Sequence, residues 1–505
     1  MNDNKRIAIN TVFLYIKFIV TTIVGLVVSR VVLQALGASD YGLYNVVGGI
    51  VAMLNTLGTS MVATSYRYMA VEIGKREQGN PNKIYNTVFV IHIALAFLLL
   101  TVGESFGVFY VNNYLNVEAS RIPDALFVLH LSLLTTAFSV VTIPMNGLII
   151  AREKFLFTSL VEIISTIAKL ICVYFLVNYV GNRLRCYAVM LAVIQFIVPL
   201  SYQIYCRVKD ADVVKWRINR NKADYKELFN FAWWILVGAV AVIGKIQGAA
   251  MIINVFFGTI LNAAYGLASQ VSHAVSSFTS TLRQAAIPQI MKSQSNGNQE
   301  RSLALVYAMS RYSYLCMNIV AIPLLLCMDD VLKIWLDTPP KYTNIFVSFL
   351  LVSGMISNLG AGFDASIQAT GKIRKNQIGY SIIQLSLLPL IYILYKNGYP
   401  PYANVICMVG VSVVTLLFQL YIMRELTTFS ISDYVKNTII PSISSTIVTL
   451  LPLGLLRMFW PHTFTATIMF LIIAIGWTCV SIYIFGLCAS EKQLLTKTVV
   501  KKLKL

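Results

Sequence analysis

Leu36-Gly37-Ala38-Ser39-Asp40-Tyr41-Gly42-Leu43-Tyr44 joins two apolar runs, residues 8–35 and 42–66. Each run exceeds the roughly 20 residues a helix needs to cross a hydrocarbon core. Glycines and an aspartate between such runs punctuate the chain. The stretch therefore predicts two membrane spans joined by a tight external turn. The first run carries Lys17 near its middle and Arg30 near its far end.

The rest of the chain repeats this pattern. Of 505 residues, 57% are hydrophobic and 12% charged, and the mean hydropathy is +0.72. A soluble protein carries roughly 25% charged residues. The apolar runs have helix length, and the alternation over about ten residues that marks a barrel strand is missing. The fold class expected is an all-α polytopic membrane protein with about 14 transmembrane helices. They fall near 8–35, 42–66, 84–110, 124–150, 155–179, 186–206, 229–256, 262–290, 304–328, 343–369, 376–395, 401–423, 438–458 and 463–488. The first run is too long for a signal peptide and is expected to stay as a signal anchor.

Net charge is +19, and its placement sets an orientation. With both termini in the cytoplasm, inner segments hold 27 of the 40 Lys/Arg and external loops and span edges hold 7. That bias follows the positive-inside rule. The basic excess is thus a topology signal, and no nucleic-acid partner is implied.

The two halves of the chain resemble each other at an offset of 218. Ala151 to Lys154, at the end of the fourth span, matches Ala369 to Lys372 at the end of the tenth, and Gly79-Asn80 matches Gly297-Asn298. A shared register points to duplication. Six spans per half make the repeats parallel, related by an axis along the membrane normal. The expected division is a lobe at 1–206, a basic cytoplasmic linker at 207–228, a second lobe at 229–436, and two additional helices with a basic tail at 437–505. The linker is expected either as a solvated loop or as an amphipathic segment on the inner leaflet.

Six cations remain inside the spans: Lys17, Arg30, Lys169, Lys245, Arg283 and Arg311, against the acids Glu104, Glu162 and Asp364. Each cation at mid-span costs about 2.5–3.5 kcal/mol. Structural ion pairs would come close to balance, so the excess points to a hydrated cavity that receives an anion. Lys17 and Lys245 lie deepest and are the leading cavity candidates, with a structural pair as the competing role. Arg30 lies near the external end, where snorkelling competes. Lys17 and Arg30 are about 220° apart on a straight helix and share a face only if the chain bends, as at Gly25. Glu162 and Lys169 share a face about 10 Å apart, too far to pair without a bridging water or a third residue. With Arg283, Arg311 and Asp364 they are candidates for a gate or for ion coupling. His92, His130 and His273 are read as ordinary polar contacts.

No catalytic constellation appears: no His-Glu-x-x-His, no Walker loop, no Gly-x-Ser-x-Gly. A non-enzyme without cofactor is expected, driven by an ion gradient, the membrane potential or consumption of product. The eight cysteines form no Cys-x-x-Cys pair. They read as small buried hydrophobes, with no disulfide or metal site.

The stretch Ser29 to Tyr44 resembles the Leu-Gly-x-x-x-Tyr-Gly-Leu-Tyr turn of the polysaccharide branch of the MOP exporter superfamily, which includes Wzx-type O-antigen flippases. Ala151 to Lys154 and Ala369 to Lys372 look like that branch too. The resemblance implies two six-helix lobes around a central cavity, working by alternating access. Its implied cargo is a polyprenyl-diphosphate-linked oligosaccharide, moved to the outer leaflet of a bacterial inner membrane. H+ or Na+ is expected as coupling ion, with a downstream polymerase as partner and a monomeric protein. Related lipid II flippases use cationic cavity residues, including an arginine in the first span; Lys17 or Arg30 would take that part here. The alternative is a MATE-type multidrug exporter, which resembles its relatives in carrying an acid in the first span, where this chain has cations. A major-facilitator permease lacks support, since Glu72-Ile73-Gly74-Lys75-Arg76 stands where its signature loop belongs. A glycosyltransferase or polymerase needs larger external loops than the roughly fourteen residues found here.

Overall fold

Glycine sets where the two longest helices break. The computed structural model describes residues 3–74, 79–152, 154–295, 298–370, 372–488 and 491–493. Helix α1 (Asp3–Gly74) is interrupted at Gly37, with φ 79° and ψ 167°. Further along, α7 (Lys222–Ser295) is interrupted at Gly258, with φ 78° and ψ −172°. Positive φ costs an L-residue about 1–2 kcal/mol and glycine almost nothing. Both breaks fall where the sequence places a turn between spans. Twelve helices among the described residues are long and apolar enough to cross a membrane. The fourteen expected spans thus appear as twelve, because Val20–Val51 and Ala241–Ser280 each run through a glycine break.

The chain divides into two compact units, Met1–Gly266 and Leu267–Leu505. The first holds α1, α2 (Pro81–Asn113), α3 (Ile122–Ala151), α4 (Phe155–Val177), α5 (Arg183–Lys209), the short α6 (Ala211–Val214) and α7 up to Gly266. Its core gathers Leu43, Val46, Val47 and Ile50 of α1 with Leu99 of α2 and Leu129 and Leu133 of α3. Beyond Gly37, α1 runs tightly along α7. A Cβ on Gly42 would overlap the Thr259 carbonyl oxygen, and one on Gly49 would lie 2.7 Å from Gln247 Oε1. Small residues at seven-residue spacing let the two backbones approach, as in other membrane helix pairs. A hydrogen bond of 3.0 Å between the Ser39 and Thr259 hydroxyls adds to the contact.

The 207–228 segment is docked rather than free. Asn82 Nδ2 donates to the carbonyls of Val213 (2.8 Å) and Lys215 (2.7 Å). The buried Asn86 donates to Lys215 O and accepts from Arg217 N. Trp216 packs edge-on against Phe89.

The second unit holds the remainder of α7, α8 (Gln299–Leu326), α9 (Met328–Leu336), α10 (Thr343–Leu359), α11 (Phe363–Ala369), α12 (Ile373–Leu385), α13 (Leu387–Lys396), α14 (Ala403–Leu426), α15 (Ile431–Tyr434), α16 (Ile440–Met458) and α17 (Phe464–Ser481). Phe363, Phe429, Tyr434 and Tyr307 form an aromatic cluster at its core. Helices α16 and α17 pack on α8.

The 218-residue offset recurs in helix ends. Asn80 caps α2 by accepting from Lys83 N, and Asn298 caps α8 by accepting from Arg301 N. Helix α3 ends at Ala151 and α11 at Ala369.

Candidate functional site

The turn is held by charge. Asp40 pairs with Arg121, whose Nη1 also donates to Asp124 Oδ2 at 2.8 Å. Asp124 Oδ1 accepts from Arg185 Nε (2.6 Å) and Asn182 Nδ2 (2.8 Å). Arg183 Nη1 donates to Ala35 O at 3.0 Å, covering a carbonyl left open by the break at Gly37. Three arginines that the sequence reading placed outside are thus spent on the turn and on Asp124.

Lys17 lies 2.8 Å from Glu162 on α4. Glu162 therefore pairs across helices with Lys17, and no ion pair or bridging residue among the described residues joins it to Lys169. The only break in α1 is Gly37. Gly25 stays helical, so Lys17 and the partly buried Arg30 remain about 220° apart.

Lys169 instead lines a partly open cavity of about 400 Å³ bordered by α1, α3, α4 and α5 of the first unit. Ser132, Thr136 and Ser139 face it from α3, Ser165 from α4 and Gln195 from α5. None of the residues lining it is acidic. Gln195 Oε1 already accepts from Thr135 Oγ1 at 3.0 Å, which turns the amide NH2 toward remaining partners. Sequence reading missed these hydroxyls. Their signal was present: Ser132, Thr136 and Ser139 fall at i, i+4 and i+7, one polar stripe on an apolar helix.

Lys245, partly buried on α7, makes no hydrogen bond or ion pair among the described residues. In the second unit, Asp364 accepts from Gln419 Nε2 (3.0 Å) and Asn376 Nδ2 (3.5 Å), with Arg283 within electrostatic reach. Arg311 does not join them. It is buried, donates to Asn437 O at 2.8 Å and pairs with Glu491. Among the histidines, His92 Nδ1 bonds Val88 O and His130 Nδ1 bonds Glu104, both at 2.7 Å. The described residues hold no cluster of metal-ligating side chains.

No protein-family model matches the chain, and no curated protein matches it. Solved structures do. A lipid II flippase, MurJ in an inward closed conformation, aligns with a TM-score of 0.69 at 13% identity, over 95% of this chain and 98% of that one. An inward-facing multidrug resistance MATE family transporter of the MOP superfamily aligns at 0.68 and 11% identity, over 81% and 96%. Its outward-facing counterpart aligns at 0.58 and 13%, over 83% and 96%. The fold is that of MOP-superfamily transporters.

A MOP-type fold makes this chain a multi-pass integral membrane protein built like known flippases and transporters. Within it the intramembrane charges are unevenly satisfied. The acids Glu104, Glu162 and Asp364 each have a polar partner. Lys245 has none among the described residues, and Lys169 has only the longer-range charge of Glu162, with no hydrogen bond or ion pair of its own there.

Proposed function

We propose that this chain is a flippase that carries an anionic lipid-linked substrate, a polyprenyl-diphosphate-linked oligosaccharide, from the cytoplasmic to the outer leaflet by alternating access. The observation that carries this reading is Lys245: a cation in an apolar span that holds no acid, without a hydrogen bond or ion pair among the described residues. An uncompensated ammonium in the bilayer costs about 2.5–3.5 kcal/mol, and a diphosphate is a partner that offsets it. Lys17 completes the proposed substrate-binding set by leaving Glu162 when substrate arrives; Arg30, about 220° away on the same unbent helix, does not join it. Glu162, Lys169, Arg283 and Asp364 are the proposed gate and coupling groups; Arg311, paired with Glu491, is not among them. The protein acts without catalysis of its own, as a monomer in an inner membrane with both termini cytoplasmic. H+ or Na+ drives it, and a polymerase takes up its product.

A second reading, export of organic cations in the MATE manner, draws on the near-equal likeness to a MATE transporter. Asp364 is the acid it would use, since its described hydrogen-bond partners are neutral amides.

Purified protein in liposomes with a fluorescent polyprenyl-diphosphate glycan separates the two. The flippase reading expects dye to become accessible to an external quencher, with the rate at least tenfold lower in Lys245→Met together with Lys17→Met. Wild-type rates in that double variant, with its insertion intact, sink the flippase reading. Ethidium efflux that depends on Asp364 supports the second.

A further inference from the structure

We infer that the first unit contains a binding site for a small inorganic anion of the halide class, in the cavity around Lys169. The inference goes beyond the flippase reading and does not rest on it, since it concerns a cavity inside one helix bundle whatever the chain transports.

Three observations converge. First, the lining offers hydrogen-bond donors in excess. The Lys169 ammonium is donor-only, and the hydroxyls of Ser132, Thr136 and Ser139 have no hydrogen bond of their own among the described residues. The Gln195 carbonyl oxygen is already engaged by Thr135, leaving its amide protons. Second, no acid bonds the ammonium directly. Glu162, two turns away on α4, reaches Lys169 only as a longer-range charge and is itself paired with Lys17 at 2.8 Å. Third, the volume suits a small guest. About 400 Å³ accommodates a small anion with several waters. A charged donor set without a carboxylate, lining a cleft between membrane helices, is stabilised by an anion that accepts from all of it at once. A halide does this without the directional lone pairs of a larger oxyanion.

The test uses the full-length protein in nanodiscs, melted in sodium lactobionate while chloride or bromide replaces that bulky anion at constant ionic strength. Halide is expected to raise the melting temperature saturably by about 2 °C. The rise should vanish in Lys169→Met and persist in Lys169→Arg. Thr136→Val with Ser139→Ala retains the charge and should shift the halide midpoint about tenfold upward, which decides the matter if Lys169→Met does not fold. An equal halide response in wild type, in Lys169→Met and in Thr136→Val with Ser139→Ala overturns the inference. So does stabilisation by glucuronate with no response to halide, which would assign the cavity to a sugar acid.

Discussion

Lys17 Nζ lies 2.8 Å from Glu162 Oε2, joining the first apolar run to α4 across 145 residues of sequence. This pair neutralises the deepest cation of α1 and at the same time leaves Lys169, seven residues further along α4, to the cavity. Removing either partner leaves the other uncompensated, whereas removing both does not. Thermal melting of Lys17→Met, of Glu162→Gln and of the double variant checks this. Each single change should lower stability, and the double should recover most of the loss. The expected coupling is about 1 kcal/mol, modest because the Glu162 side chain is 43% exposed. Strictly additive losses would show that the pair contributes nothing.

The glycines around the turn differ in what they do, and alanine separates them. At Gly37 a Cβ meets nothing within 4 Å, so Gly37→Ala costs only the backbone strain of φ 79° and ψ 167°, about 1–3 kcal/mol. At Gly42 a Cβ overlaps backbone of Thr259, so α1 and α7 must move apart, at a cost of about 3 kcal/mol. Gly48 faces open space and serves as the control. Yield and melting temperature should rank Gly48→Ala above Gly37→Ala above Gly42→Ala. Equal behaviour at positions 37 and 42 would remove the close approach as the reason for the second glycine.

The helix breaks were legible because their cause is local. Gly37 and the interval holding Gly258 lie between runs of span length, and the caps Asn80 and Asn298 carry their own short-range partners. The charged pairs were not legible, because helix packing sets them. Glu162 has Lys169 at helical spacing, and only the placement of α1 gives it Lys17. The same holds for Arg311, read beside Arg283 and Asp364 by depth in the membrane, yet bound to Glu491 180 residues later. The docked linker was half legible: Asn82 and Asn86 are spaced i, i+4 on an otherwise apolar helix, but their acceptors are backbone atoms that no side-chain pattern announces.

That docking has a defined pH dependence. Asp224 receives hydrogen bonds from Asn219 (2.7 Å) and Asn221, and pairs with Lys83 at 2.8 Å. These hold its carboxyl below the usual carboxylate range, the Asn219 bond first. A depressed carboxylate contributes stability above its unfolded pKa and loses it as pH falls through the folded value. Amide hydrogen exchange over residues 213–221 should therefore stay protected from pH 7 to about 5 and lose protection only below about 4. Asp224→Asn should exchange faster at neutral pH and flatten the acid response. Asn86→Ala should raise exchange roughly tenfold at every pH, since it removes bonds without a titrating group.

The buried guanidinium of Arg311 makes the C-terminal segment structural. Glu491 pairs with it and also accepts from the Tyr312 hydroxyl, while Cys488 N donates to the other carboxylate oxygen at 2.7 Å. Ending the chain before residue 489 strips a buried charge of its counter-ion, a loss of about 3–5 kcal/mol. The truncated protein should melt several degrees lower and aggregate on solubilisation. Adding Arg311→Met to the truncation should restore most of the melting temperature, because the charge that lacked a partner is gone. Failure of Arg311→Met to rescue, with the truncation still destabilising, would mean that the tail acts through packing rather than through the pair.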